Sequence, residues 1–330
     1  MPAIVETHEL TRHYGATVAL DRLTLSIPEG AIFGLIGPNG AGKTTTMRIL
    51  TTLLRPSSGE ALVAGCSVMR DPAGVRRAVG FMPDFFGVYE RMSAWEYLDF
   101  FGRAYGLAAA RRTTLIDDLL GLVDLGHKRD ADVMTLSRGM KQRLSLARTM
   151  MHDPQLLILD EPASGLDPRA RIELRELLKE LRELGKTVVV SSHILTELAE
   201  MCSHIAILEH GRLIASGEVA EIMRSLQPHQ TLELRLLGDP APAEALLADL
   251  AGVLAVRRER QPDVGDEDTA EASPDPAAPQ TLLIDFDGDE AAAAALLAAL
   301  VGAGVRVTRL AERHSDLEDV FLRVTADPLG

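Results

Sequence analysis

At 330 residues, with 46% hydrophobic and 25% charged side chains, the chain is long enough for two domains with packed cores. Its formal net charge of −14 leaves no basic stripe for a phosphate backbone, which argues against DNA or RNA as a partner. Cys66 and Cys202, the only two cysteines, are far apart and lack metal-ligand spacing, so they read as reduced thiols rather than a disulfide framework. The chain opens with Glu6, His8 and Glu9 soon after Met1, without the basic segment and apolar core of a secretion signal. Residues 3 to 36 alternate short β-like runs (Ile4-Val5, Leu23 to Ile27, Ala31 to Ile36) with turn signals at Gly15 and Pro28-Glu29-Gly30.

The apolar run Ala31 to Ile36 is a buried-strand pattern, and Gly37-Pro38-Asn39-Gly40-Ala41-Gly42-Lys43-Thr44 behind it fits G-x-x-x-x-G-K-[ST]. From Thr44 and Thr45 to Leu54, apolar residues at Met47, Ile49, Leu50, Leu53 and Leu54 follow helical spacing. Strand, glycine-rich loop and helix in that order make a phosphate cradle, because backbone N–H groups can wrap an anion where no Cβ intervenes. The helix dipole adds about 0.3–1 kcal/mol per charge. Lys43 then reaches the β- and γ-phosphates of a nucleotide, and the Thr44 hydroxyl faces Mg²⁺. Tyr14, 23 residues before Gly37, offers a ring for stacking on the base, although a lone loop tyrosine is more often packing.

Residues 57 to 65 read as one further strand. Residues 81 to 105 hold nine of the 13 aromatics. Phe85, Phe86 and Tyr89 fall in an aperiodic stretch after Pro83, which favours a contact loop, whereas Trp95 to Tyr105 has the spacing of a core helix. With an amphipathic helix at 113 to 125, the region from about 90 to 153 reads as an inserted helical layer. Leu156 to Leu159 is a buried strand ending in Asp160-Glu161, and Thr187 to Val190 another ending in Ser191-Ser192-His193. Carboxylates and a histidine at the ends of parallel strands sit on the ligand edge of an open sheet. Asp160 is thus a candidate for the magnesium shell and Glu161 for polarising water. Residues 170 to 184 read as a charged helix, and 205 to 216 as an edge hairpin through His210-Gly211.

These pieces, over residues 4 to 225, resemble the nucleotide-binding subunit of ATP-binding-cassette (ABC) transporters. Leu136-Ser137-Arg138-Gly139-Met140-Lys141-Gln142-Arg143 resembles the ABC signature, which closes the nucleotide site of a partner subunit. Two of its positions depart from the usual Leu-Ser-Gly-Gly-Gln: Arg138 stands for glycine and Met140 for glutamine. The resemblance implies an ATPase domain over 1–227, with ATP and Mg²⁺ bound by residues 37 to 45. It makes Asp160 and Thr44 metal ligands, Glu161 the catalytic base, His193 the switch histidine and Tyr14 the adenine-stacking ring. Ser137, Gly139 and Asp167 then belong to the face of a homodimer or pseudo-dimer. Asp84 stands where the family carries the glutamine of its Q-loop, and is a further candidate for the metal shell. Beside it, Phe85, Phe86 and Tyr89 would meet a separate permease, of the ABC-2 exporter type by the form of the signature. The expected location is the cytoplasm, on the inner face of the membrane. The other ABC roles fit less well: about 90 residues between Thr44 and Ser137 leave no heptad insertion for a DNA-repair ATPase, and one acidic cassette does not suit a translation factor. A mechanical regulator of a membrane complex differs only in its membrane partner.

Residues 228–330 carry 20 acidic and 8 basic side chains and form a separate accessory domain. Two strand-helix-strand copies, from Gln230 and from Gln280, predict a ferredoxin-like α+β unit. Gln261 to Pro279, rich in proline, alanine and acid, reads as a disordered loop. Ser315 to Phe321 resembles the tail of drug- and polysaccharide-type exporter ATPases. The expected fold is therefore an α/β P-loop ATPase, with a β-rich subdomain and a helical insertion, followed by this small domain.

Overall fold

In the computed structural model, β1 (Ala3–Tyr14) and β2 (Thr17–Pro28) open the chain and pair antiparallel around a turn at Gly15. The structure describes residues 2–85, 87, 91–226, 230–258 and 279–313. The hairpin strands are longer than the short runs the alternation predicts. Register shifts between Thr7 and Leu10 and between Arg12 and His13, with Glu9 and Arg22 at positive φ, break the two-residue period without ending the pairing. On the other side of β1 lie β4 (Ser58–Val63) and β5 (Cys66–Ser67), completing a sheet of order β2-β1-β4-β5.

A second sheet is built on β3 (Ile32–Ile36), all five residues of which are buried. Its neighbours are β6 (Val79–Met82), β7 (Leu156–Leu159), β8 (Thr187–Ser192), β9 (His204–Glu209) and β10 (Arg212–Glu218), in the order β10-β9-β3-β8-β7-β6. All pairs are parallel except β9 with β10, where the chain turns back through a hairpin at the edge. Continuous apolar runs such as Leu156 to Leu159 suit strands covered on both faces, while β10 alternates intermediate and exposed residues as an edge strand does. Because β3, β7 and β8 run the same way, the segments that follow them emerge at one edge of the sheet.

Around the sheets stand α1 (Lys43–Leu50), α2 (Pro72–Ala78), α6 (Pro168–Glu183), α7 (Leu195–Met201) and α8 (Val219–Leu226). The inserted layer comprises α3 (Ala94–Ala104), α4 (Ala109–Leu122) and α5 (Arg138–Thr149). A reciprocal cap starts α3: Ser93 accepts from the Glu96 N–H, and Glu96 accepts from the Ser93 N–H. Asp99 of α3 ties the layer together by accepting from Arg103 (2.6 Å) and from Arg112 of α4 (2.7 Å). Burial raises the Asp99 pKa, but the two guanidinium groups outweigh it and hold the carboxyl below its ordinary value.

The chain divides into two compact units, Met1–Ile222 and Met223–Gly330. In the second, β11 (Gln230–Leu237), α9 (Ala241–Ala248), β12 (Val253–Arg258), β13 (Pro279–Phe286), α10 (Glu290–Gly302) and β14 (Arg306–Arg313) follow one another. The sheet order β12-β13-β11-β14, with every pair antiparallel, is that of a ferredoxin-like unit. Its core is Leu232, Leu234 and Leu236 against Leu282, Ile284 and Phe286, closed by α9 and α10 through Leu247, Leu296 and Leu300. The loop expected to end at Pro279 ends one residue earlier. Pro279 opens β13 opposite Leu237, and the first residue of a strand is a place where proline fits. The remainder of that loop and Ser315 to Phe321 lie outside the described residues. Among the described residues no helix is long and apolar enough to cross a membrane.

Candidate functional site

Residues 37 to 42 connect β3 to α1 and need glycine at two places. A Cβ on Gly37 would stand 2.3 Å from the Leu208 carbonyl oxygen. One on Gly42, at φ +103°, would stand 2.7 Å from Leu20 Cδ2 and 2.8 Å from the Ala19 carbonyl oxygen. The N-terminus of α1 carries no side-chain cap, so its first N–H groups are left for an anion. Lys43 is buried, at 6% exposure; its Nζ donates to Gly37 O (2.6 Å) and Pro38 O (3.3 Å) and lies 3.5 Å from Glu161 Oε1.

Beyond the ends of β7 and β8 the chain gathers a second set of groups. The hydroxyl of Ser191 donates to Asp160 Oδ1 (2.7 Å) and accepts from the Glu161 N–H (2.8 Å). Asp160 is 1% exposed, and its Oδ2 is buried without a hydrogen-bond partner. Glu161 sits at φ 49°, a left-handed conformation that costs a non-glycine residue about 1–3 kcal/mol and that Ser191 helps to hold. Its Oε2 lies 3.0 Å from His193 Nδ1, so the carboxylate stands between the imidazole and the Lys43 ammonium.

A cleft of about 740 Å³ is lined by Thr17 to Ala19, Pro38 to Thr45, Asp84, Phe85, Arg138, Glu161, Ser164 and His193, with Asp160 and Ser191 not among its lining residues. Tyr14 is not among its lining residues. It faces Thr17 across the β1–β2 hairpin, 45% exposed, with the Arg12 guanidinium 4.7 Å from its ring centre. Asp84 lines the cleft and accepts the Phe85 N–H at 2.9 Å, and Phe85 is 80% exposed. Phe86 and Tyr89 lie outside the described residues. The oxygens of Thr44, Asp160 and Asp84 are hard donors, as Mg²⁺ requires, and the unpartnered Asp160 Oδ2 fits a cation. Among the described residues no group of three or more His, Cys, Asp or Glu is placed to hold a metal ion.

Ser137, Gly139 and Asp167 line a different cleft, of about 250 Å³, between α5 and α6. Ser137 caps α5 by accepting the Met140 N–H (3.3 Å), and Asp167 caps α6 by accepting the Ala170 N–H (2.9 Å). A Cβ on Gly139 would touch nothing closer than Leu166 Cδ2 at 3.6 Å, so packing within the chain does not require glycine there. The structure thus brings Lys43, Asp84, Glu161 and His193 into one cleft, and keeps Ser137, Gly139 and Asp167 apart in another. Sequence reading missed Ser191, whose one signal is a hydroxyl closing an apolar strand, and missed Arg138, which lines both clefts.

Residues 20–164 match the family model described as "ABC transporter". The chain is 36% identical over 325 residues to Nod factor export ATP-binding protein I of Cupriavidus metallidurans, covering 98% of both proteins. It is 35% identical to the daunorubicin/doxorubicin resistance ATP-binding protein DrrA of Streptomyces peucetius, covering 98% of this chain and 93% of that protein. A solved ATP-binding subunit of an ABC transporter superposes with a TM-score of 0.61 at 32% identity, over 67% of this chain and 92% of its own.

Proposed function

The chain belongs to the ATP-binding family of ABC transporters, and from that membership we propose how its own residues hold and cleave ATP. It is an ATPase subunit of exporter type that drives a separate membrane permease. Residues 37 to 45 take the phosphate chain, with the open N–H groups of α1 aimed at it and Lys43 exchanging its carbonyl partners for phosphate oxygens. Thr44, Asp160 and Asp84 would hold Mg²⁺, which would supply charge neutralisation on the phosphate chain. Tyr14, exposed on the hairpin and paired with Thr17, which lines the cleft, contributes the ring beside the base.

Glu161 carries the reading, because its carboxylate is held by His193 at 3.0 Å at the same cleft as Lys43. It takes a proton from water as the water oxygen attacks the γ-phosphorus and the bond to the bridging oxygen of ADP breaks. With Nδ1 of His193 on Glu161, Nε2 is free to face the γ-phosphate. Ser137, Gly139 and Asp167 close the site of a second copy; the glycine that its own chain does not need leaves backbone open for that copy's nucleotide. The exposed Phe85, with Phe86 and Tyr89, meets the permease at the inner face of the membrane.

Static light scattering tests the paired arrangement. Glu161→Gln, saturated with ATP and Mg²⁺, should accumulate as a dimer because the bound ATP is not cleaved. A protein that stays monomeric at saturation rules the sandwich out.

A further inference from the structure

The turn between β9 and β10, His210-Gly211, meets β2 at the phosphate loop, with Gly211 at φ +79°. Its backbone is held from both sides: the Asp21 N–H of β2 donates to the Gly211 carbonyl (2.9 Å), and the Gly211 N–H donates to the Ala41 carbonyl (3.1 Å). The approach is close enough to require glycine, since a Cβ on Gly211 would stand 2.7 Å from the Ala19 carbonyl oxygen. An ion pair fastens the same turn to β2, with Arg212 Nε and Nη2 at 2.8 and 2.7 Å from Asp21 Oδ2. The hydrogen bond from Arg212 holds the Asp21 carboxyl below its ordinary value, which keeps the pair charged.

The Ala41–Gly42 peptide is trans, so its C=O and N–H point to opposite sides of the chain. Holding the Ala41 carbonyl towards Gly211 therefore turns the Gly42 N–H the other way, and that N–H has no hydrogen-bond partner among the described residues. Both residues line the Lys43 cleft, and Gly42 directly precedes α1 at its uncapped end. We propose that the β9–β10 turn positions the phosphate loop: Gly211 sets the Ala41–Gly42 peptide so that the Gly42 N–H faces the phosphate chain, and the Asp21–Arg212 pair holds Gly211 in place. Neither Gly211 nor Arg212 lines the cleft, so both act through the loop as positioning residues. This rests on the assignment of residues 37 to 45 to the phosphate chain.

Arg212→Gln and Asp21→Asn each break the pair, and because Arg212 is largely exposed, each should weaken ATP and ADP alike by about twofold to fivefold. The loss should fall on KM rather than kcat. The double variant should lose no more than either single one, since one change already frees the turn. Arg212→Lys returns a charged donor and should recover part of the affinity. Gly211→Ala, strained at φ +79° and pressed against the Ala19 carbonyl, should lose about tenfold or more. The experiment titrates full-length wild type and each variant with fluorescent methylanthraniloyl ATP and ADP, well below the melting transition of each, with steady-state ATPase rates and thermal melting alongside. Unchanged affinity, whatever the melting temperature, makes the turn a strut for the sheet edge and overturns the proposal. So does an additive loss in the double variant, or a fall in kcat at unchanged KM. Lys43→Ala is the control for the underlying assignment: it should lose both nucleotides, and normal binding by that variant places the fault in the loop reading rather than in the turn.

Discussion

The two units bury different chemistry. Among the described residues every buried polar or charged side chain lies in the first, including Lys43, Gln142, Asp160, Ser191 and Glu209. Among its described residues the second encloses leucine, isoleucine, alanine, Phe286 and Pro240, with no buried polar or charged side chain. Each buried polar group left unpaired costs about 1–3 kcal/mol, so the first unit must supply partners for most of its groups. It does so with Ser191 between Asp160 and Glu161, and with carbonyls on Lys43, at the strand ends where a ligand can reach. The comparison teaches that changes to the first unit's polar set should act on turnover, and changes to the second unit's core on stability.

The largest expected effect is at Glu161. Glu161→Gln keeps the shape and removes the base, so steady-state ATP hydrolysis should fall by about 10²–10⁴-fold while equilibrium ATP binding persists. Turnover within a few-fold of wild type would move the base elsewhere.

Next is Phe286, 1% exposed and packed against Gly288, where a Cβ would come within 2.5 Å of the ring. Phe286→Ala should cost the second unit about 3–5 kcal/mol. Trp95, the single tryptophan, reports on the first unit alone. Circular dichroism should therefore gain an early melting step that Trp95 fluorescence does not follow, with ATPase activity unchanged. A parallel fall in activity would break the contrast between the units.

Ser191→Ala tests the first unit from the other side. It strips Asp160 Oδ1 and the Glu161 N–H of their shared partner, at a cost of about 1–3 kcal/mol. Because Glu161 sits at φ 49°, its carboxylate loses part of its support, and kcat should fall more than ATP affinity. Unaltered kcat with a lowered melting temperature would make Ser191 purely structural.

Most of the fold was legible because its signals are local. Apolar runs at 31 to 36 and 156 to 159, each followed by loop residues, mark strands of a covered sheet, and two strand-helix-strand copies mark the second unit. The β1–β2 hairpin was not, since its bulges shift the buried phase and a shifted period looks like an ended strand. The same division holds in the site. Strand ends lead to Asp160, Glu161 and His193, because strand direction is readable from the pattern. The position of Tyr14 is not, because distance along the chain to Gly37 says nothing about where a hairpin turn points. Nor is the reach of Arg138, which depends on a glycine 27 residues later in the chain.

The smallest effect sharpens the contrast through pH. His152 in the first unit stacks on Tyr105, with ring centres 4.3 Å apart, and its Nε2 faces the Val79 carbonyl at 2.9 Å, while Nδ1 is buried without a partner. Burial pushes its pKa below the ordinary 6.5, against the smaller upward pull of the Val79 carbonyl and Asp153. The neutral ring is the form that the fold accepts, so its contribution is fully present above pH 6.5. As pH falls below 6.5 the unfolded chain takes up a proton that the folded one resists, and stability is lost until the lowered folded value is passed. Denaturant unfolding followed by Trp95 fluorescence, at intervals from neutral to mildly acidic pH, should show the wild type weakening across that window. His152→Gln, which cannot titrate, should flatten the same stretch of the curve, because its folded and unfolded states bind equal numbers of protons at this position. Two parallel curves would mean that the ring accepts its proton in place, and that the buried Nδ1 finds a partner when charged.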